Sequence, residues 1–310
     1  MALKTSLTGS YPPIKAEKPN RQLSEPELDS LVYKSIQRAV KDQIELGIDI
    51  LVDGQVRDDI VSIFCRHIPG FSGSTLPYRV VGPIRPAEQS ITVSDYLTAK
   101  EFAGGKPIKV HVTGPMTIVR GSVVDPESGY SDKTDPQLVM DVASALGQEV
   151  RYLVKAGANI VQIDEPVLAD GTDLDLAFRA MEKIVKIGEI PFPALHACGN
   201  VCGILGKVLT QAPVKAVSIE GIWLKREELV NINRDSLLRS GKKIGLGCIS
   251  VSDYKVEKLR TVENFIDQMI HQLGEENIWA IMPNCGLRLM PIDTAREKLS
   301  VMTAAARKFG

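Results

Sequence analysis

His196 and Cys198 stand two residues apart in the segment ALHACGN, Glu220 follows in VSIEG, and Cys285 lies in PNCGL. An extended backbone turns positions i and i+2 to the same side, so the imidazole and the first thiol share one face. One imidazole, two thiolates and one carboxylate suit zinc far better than magnesium or calcium, which take oxygen ligands. Zinc in such a set either ties a structure together or activates a bound thiol or water. The competing reading is core packing for both cysteines and a surface hydrogen bond for His196. Cys202, four residues after Cys198, is an alternative ligand to Glu220, although Val201, Ile204 and Leu205 give it core surroundings. Cys65 and His67 form a C-x-H pair, but within the apolar segment DDIVSIFCRHI, where packing is expected. His111 falls inside a strand run and His271 on a helix face, and neither invites a functional reading.

These residues need elements that bring them together. Short apolar, β-branched runs recur along the whole chain, at Leu3–Leu7, Ile48–Val52, Ile108–Val112, Ile160–Ile163, Ala194–His196, Ala216–Ile219, Lys243–Gly247 and Ile278–Met282. Most are apolar on both faces, as parallel strands covered by helices should be. Helical patterns lie between them. Ser24 and Glu27 read as a capping box with Pro26 in the first turn, and Leu28, Leu31, Val32, Ile36, Ala39 and Val40 then recur at helical spacing. Asp135–Pro136 opens another helix that Gly157 closes, and Thr261 and Gly274 bracket a third. Each parallel connection needs a crossover helix, so this alternation predicts an α/β fold, a (β/α)8 TIM barrel forming a single domain over residues 1–310. A doubly wound open sheet is the structural rival, but the early Gly9 stands outside any dinucleotide-binding glycine pattern.

The active sites of such barrels gather at the C-terminal strand ends. Those ends read Gly9–Ser10, Asp53–Gly54–Gln55, Thr113–Gly114–Pro115, Asp164–Glu165–Pro166, His196–Ala197–Cys198, Glu220–Gly221, Cys248–Ile249–Ser250 and Asn284–Cys285–Gly286. The four metal-type residues therefore ring one mouth. Two Gly-, Pro- and Ser-rich stretches, about 68–90 and 121–134, follow strands and are expected on the same face, as lids, substrate walls or plain surface insertions.

Composition narrows the function. The chain has 310 residues, and 37 Lys and Arg offset 38 Asp and Glu, leaving a net charge of -1 and no broad basic field for nucleic acid or an anionic membrane. Five cysteines, an odd number, argue against a disulfide framework. The start, MALKTSLTGSYPP, has no apolar stretch fit for a signal peptide, and no run reaches membrane length, so a cytoplasmic location is expected.

TGSYP at 8–12, DGQ at 53–55, TGPMTI at 113–118, QIDEP at 162–166, HAC at 196–198, IEG at 219–221 and PNCGL at 283–287 together resemble the catalytic C-terminal half of cobalamin-independent methionine synthase. The resemblance runs through nearly the whole chain. It implies a zinc-dependent methyltransferase that methylates homocysteine to methionine, with zinc on His196, Cys198, Glu220 and Cys285. It further implies that Ser10 and Asp164 hold the amino acid end of the substrate. Glu220 and Asp164 are the residues expected to act in the reaction itself, Glu220 as the hard ligand that yields when sulfur binds.

The chain departs from that family in four ways. The family's two-domain members carry an N-terminal half that helps to bind folate polyglutamate, and these residues do not include it. No Trp lies in 116–134, where the family holds the folate, and the two present are Trp223 and Trp279. The segment GLGCISVSDYK lacks the His that assists the departing folate nitrogen. An amine leaving group gains from a general acid, whereas a cobalt(I) corrinoid leaves without a proton. These losses point to methylcobalamin or a partner corrinoid protein as methyl donor. Finally, the family's His-Gly-Glu is Asp53–Gly54–Gln55 here, so an amide stands where a carboxylate meets the substrate ammonium; Asp53 is the candidate to compensate. If it does not, the acceptor is another thiol such as coenzyme M. Two readings from other classes are a zinc hydrolase and a non-catalytic, zinc-stabilised binding barrel.

Overall fold

The chemistry-bearing residues sit on strands whose order in space follows their order in the chain. The structure, a computed structural model, describes residues 3–15, 23–223 and 233–309. Its strands are β1 (Phe71–Ser72), β2 (Tyr78–Val80), β3 (Lys109–Thr113), β4 (Ser122–Val124), β5 (Ile160–Asp164), β6 (Phe192–His196), β7 (Ala216–Ile219), β8 (Lys243–Ile249) and β9 (Ile278–Pro283). Six of them form a continuous parallel sheet in the order β3-β5-β6-β7-β8-β9.

Parallel bridges Thr5↔Ile281, Ser6↔Ile50 and Leu51↔Ile108 carry the sheet from β9 through two N-terminal segments and back to β3. The fold is thus a closed eight-segment α/β barrel, and closure excludes the open doubly wound sheet. The first two segments, expected as full strands, pair only through these bridges. Side chains take the place of further ladder bonds: Asp49 accepts from the Thr5 N–H (2.8 Å). Gln43 donates to the carbonyl of Val52 (2.8 Å) and accepts from its N–H (2.9 Å).

The helices start and stop where the local chemistry dictates. Helix α1 (Glu25–Glu45) opens on the Ser24–Glu27 capping box with Pro26 in its first turn, and buries Val32, Ile36, Ala39 and Val40. Four further helices are α2 (Ser62–Cys65), α3 (Val93–Phe102), α4 (Pro115–Arg120) and α5 (Pro136–Lys155). Asp135 caps α5 by accepting from the Gln137 N–H, and Gly157, at φ 110°, follows its end. After α6 (Leu174–Gly188) and α7 (Cys202–Gln211) come α8 (Arg234–Ser240), α9 (Leu259–Leu273) and α10 (Ile292–Arg307). Helix α9 begins two residues before the expected Thr261 and stops at Gly274 as expected.

The two Gly/Pro-rich stretches meet each other. Strands β1 and β2 form an antiparallel hairpin, and β4 joins β2 in parallel, giving a small three-stranded sheet. The Ile84 N–H donates to the Tyr130 hydroxyl (2.9 Å), which itself donates to Asp141 at the same distance.

The barrel interior is unusually polar. Barrels of this kind are normally filled by branched aliphatic residues. Here Lys109 and Gln162 are fully buried, with His111, Asp164, His196 and Ser218 close to it.

Candidate metal centre

Register decides which side chains meet. His196 ends β6 and pairs with Asp164 on one side and Ser218 on the other. Beyond it the chain stays open enough for Cys198 to return: His196 Nε2 lies 2.9 Å from Cys198 Sγ. Cys285, just past β9, brings its Sγ to 3.3 Å from that of Cys198. Donor atoms of His196, Cys198 and Cys285 all lie within 4.8 Å of one another. His196 is buried and the two cysteines are half-buried, so the cluster opens toward the mouth.

The hydrogen bond between Cys198 and Cys285 holds the Cys285 thiol down at about 4, against the opposing effect of burial; His196 adds to the depression. Burial works to lower the His196 value, but its interaction with the neighbouring Cys285 and the charge of Asp164 push it up overall. The same hydrogen bond between the cysteines, with burial, pushes the Cys198 thiol up, so one proton stays between the two sulfurs, and a cation binding there has to displace it.

Zinc fits this donor set. Zn–S and Zn–N distances of about 2.3 Å and 2.0–2.1 Å let one ion reach donors this close together. The second ring nitrogen is already engaged, with His196 Nδ1 2.6 Å from Ser218 Oγ, which fixes the ring so that Nε2 faces the thiols.

Glu220, the expected fourth ligand, lies outside that three-donor cluster. It is half-buried at the end of β7 and accepts from the Gly199 N–H (2.6 Å). Its charge still bears on Cys198, one residue before that amide. The backbone of Cys202 opens α7, while its side chain lies outside the described residues. Cys65 is buried in α2, and burial pushes its thiol up to about 12, in keeping with a packing role.

Of the residues expected at the acceptor site, Asp164 stands next to His196 in the sheet register. Asp164 is buried, with Oδ1 accepting from Gln162 Nε2 (2.7 Å) and Oδ2 from Gln55 Nε2 (3.4 Å). Burial pushes its carboxyl up to about 6, while His196, Gln162 and Lys109 pull the other way. Gln55 adopts φ 44°, a left-handed conformation that costs a non-glycine residue of the order of 1 kcal/mol. Its N–H donates to Asp53 Oδ1 (3.0 Å) and its carbonyl accepts from Arg288 Nη1 (2.8 Å), which hold it there. Ser10 meets the loop after β9: its carbonyl accepts from the Leu287 N–H (2.8 Å), and a methyl group on Gly286 would collide with its hydroxyl. Asp53 is tied to the Gln55 backbone and lines a small cavity with Arg57, Asp95 and His111.

Several participants escape a reading by residue type. Lys109 and Gln162 lie inside apolar runs, and Ser218 is an ordinary strand serine. The signal was their strand parity: Gln162 is two positions before Asp164, and Ser218 two before Glu220. His111, set aside as a strand residue, faces inward, with Nε2 donating to the Thr8 carbonyl (2.9 Å). Glu165 is fully buried and clamps the turn into α4, accepting from the N–H groups of Met116 (2.9 Å) and Thr117 (3.0 Å).

Comparison with known proteins adds independent findings. The profile of the family described as "Cobalamin-independent synthase, Catalytic domain" matches residues 3–308. A methionine synthase of Methanocaldococcus jannaschii is 38% identical over 326 residues, covering 98% of both chains. One from Methanothermobacter marburgensis is 34% identical over 282 residues, covering 89% of each. A B12-independent methionine synthase from Shewanella sp. W3-18-1, solved in complex with selenomethionine, superposes with a TM-score of 0.80 at 23% identity. That match covers 99% of this chain and 97% of the other, and it shows a shared fold. Among the described residues no helix is long and apolar enough to cross a membrane.

Proposed function

Since the chain belongs to the cobalamin-independent synthase family, catalytic domain, and is a methionine synthase-like enzyme, we propose that it methylates the thiol of homocysteine with zinc held by His196, Cys198 and Cys285. The observation that carries this reading is the meeting of one imidazole and two thiols beside the buried Asp164. His196, Cys198 and Cys285 would hold the zinc, which would supply a lowered thiol pKa, so that thiolate dominates near neutral pH.

The protein's own residues supply the rest. Asp164 and Ser10 receive the amino acid end of the acceptor, which sets its sulfur toward the cysteines. Ser218 keeps His196 Nε2 pointed at the same place. Glu220 is the exchangeable ligand in this reading, with the Gly199 amide as its partner when it is not at the metal. Holding sulfur and methyl carbon in line at about 3–3.5 Å is the further contribution of the walls.

The family description names independence from cobalamin, so membership demands no corrinoid. The reason to propose a methylcorrinoid donor lies in this chain alone. The segment GLGCISVSDYK, in and after β8, holds no His to serve a folate as proton donor, and no Trp lies in 116–134. A donor that departs without a proton suits such a site. The zinc-loaded protein should be given methyltetrahydrofolate, methylcobalamin or a methylated corrinoid protein, each with homocysteine or coenzyme M. Methionine formed from a corrinoid donor is the expected result. Efficient transfer from methyltetrahydrofolate, with none from either corrinoid, overturns the donor assignment. Preference for coenzyme M overturns the acceptor, the alternative that Gln55 raises.

A further inference from the structure

Lys109 and Gln162 are charged and polar groups buried in the barrel, below the residues assigned to the metal and acceptor. Lys109 lies on β3, and Gln162 and Asp164 lie on the adjacent β5. Lys109 has no exposed surface. Its Nζ donates to the Leu7 carbonyl (2.7 Å), the Thr8 carbonyl (3.2 Å) and Gln162 Oε1 (2.6 Å). It also sits 5.6 Å from the centre of the Trp279 ring, whose face attracts a cation. Burial pushes the Lys109 ammonium down to about 7 against the charge of Asp164, while three acceptors around Nζ favour the charged form, which has three N–H groups to give where a neutral amine has two.

The orientation of Gln162 follows from that cation. An ammonium accepts nothing, so the amide must turn its oxygen to Lys109 and its NH2 the other way. The NH2 then donates to the Thr8 carbonyl (2.8 Å) and to Asp164 Oδ1 (2.7 Å). This uses one carboxylate oxygen. Among the described residues Oδ2 receives only the long bond from Gln55 Nε2, at 3.4 Å.

We propose that Lys109 and Gln162 are positioning residues for the acceptor: the Lys109 cation locks the Gln162 amide, and the amide holds Asp164 so that Oδ2 meets the acceptor's amino group. The inference rests on the reading above that Asp164 takes the amino acid end. Without Lys109 the amide is free to flip, its oxygen would face a carboxylate, and Asp164 would lose both its orientation and its nearby positive charge.

Equilibrium binding to the zinc-loaded protein tests this without any methyl donor. Calorimetry compares homocysteine with 4-mercaptobutyrate, the same thiol acid lacking the amino group. The ratio of their dissociation constants reports amino-group recognition alone. Asp164→Asn should collapse that ratio. Lys109→Met and Gln162→Glu should each lower it by about tenfold or more, the worth of a hydrogen bond to a charged group. Zinc content and 4-mercaptobutyrate affinity should stay unchanged, and Lys109→Met added to Asp164→Asn should cost nothing further. Gln162→Glu is the deciding variant if Lys109→Met does not fold, because it preserves the lysine and the side-chain size. The proposal is overturned if Asp164→Asn loses discrimination while both other variants keep it. If Asp164→Asn itself discriminates like the wild type, the underlying assignment of Asp164 fails, and this inference with it.

Discussion

Ser218 Oγ lies 2.6 Å from His196 Nδ1, across the register that pairs the two residues on β6 and β7. The contact fixes the imidazole with Nε2 toward Cys198, so a serine outside the donor set governs how well that set can hold an ion. Outer contacts of this kind are worth about 10–100-fold in metal affinity. Ser218→Ala should therefore speed zinc loss to a chelator by about tenfold while leaving the fold intact. Unchanged zinc retention would show that packing alone orients the ring.

Glu220 separates holding the metal from activating the thiol. Its carboxylate accepts from Gly199, outside the cluster of His196, Cys198 and Cys285. Glu220→Gln should keep zinc at the wild-type stoichiometry, measured by elemental analysis, yet weaken thiol activation. Full activity with unchanged thiol affinity would contradict its role as the exchangeable ligand.

Glu165 makes stability depend on pH. It is fully buried, and burial pushes its carboxyl from 4.5 up to about 7, against the bonds from Thr117 and Met116. Between those values the folded chain keeps a proton that the unfolded chain has released. Stability from this group is therefore complete at low pH and is lost as pH rises through the folded value. Glu165→Gln cannot titrate. Compared by denaturant unfolding at about pH 5 and about pH 8, the wild type should lose roughly 1–3 kcal/mol more than the variant. Equal losses would mean that the Met116 and Thr117 N–H groups and the Thr117 hydroxyl solvate the carboxylate as well as water does.

What could be read from the sequence follows from how local each signal is. Strands β5 to β9 were legible because their apolar runs end abruptly at polar residues. The segments around Thr5 and Ile50 read equally well as strands, yet Asp49 and Gln43 take backbone groups that a ladder would have used. No local pattern announces that exchange. His196, Cys198 and Cys285 stood out by type and spacing, and the structure brings them together. Lys109 and Ser218 did not, because their meaning depends on which strand lies beside them. The pairing of β2 with β4 was hidden for the same reason: it joins residues more than forty positions apart, Tyr78 with Ser122.

The zinc K-edge absorption spectrum of the loaded protein, recorded with and without homocysteine, counts the sulfur atoms around the ion. Stoichiometric zinc with two sulfur neighbours, from Cys198 and Cys285, is expected, and a third sulfur when homocysteine is added. Zinc that fails to load, or a sulfur count that stays at two with homocysteine present, would contradict that expectation.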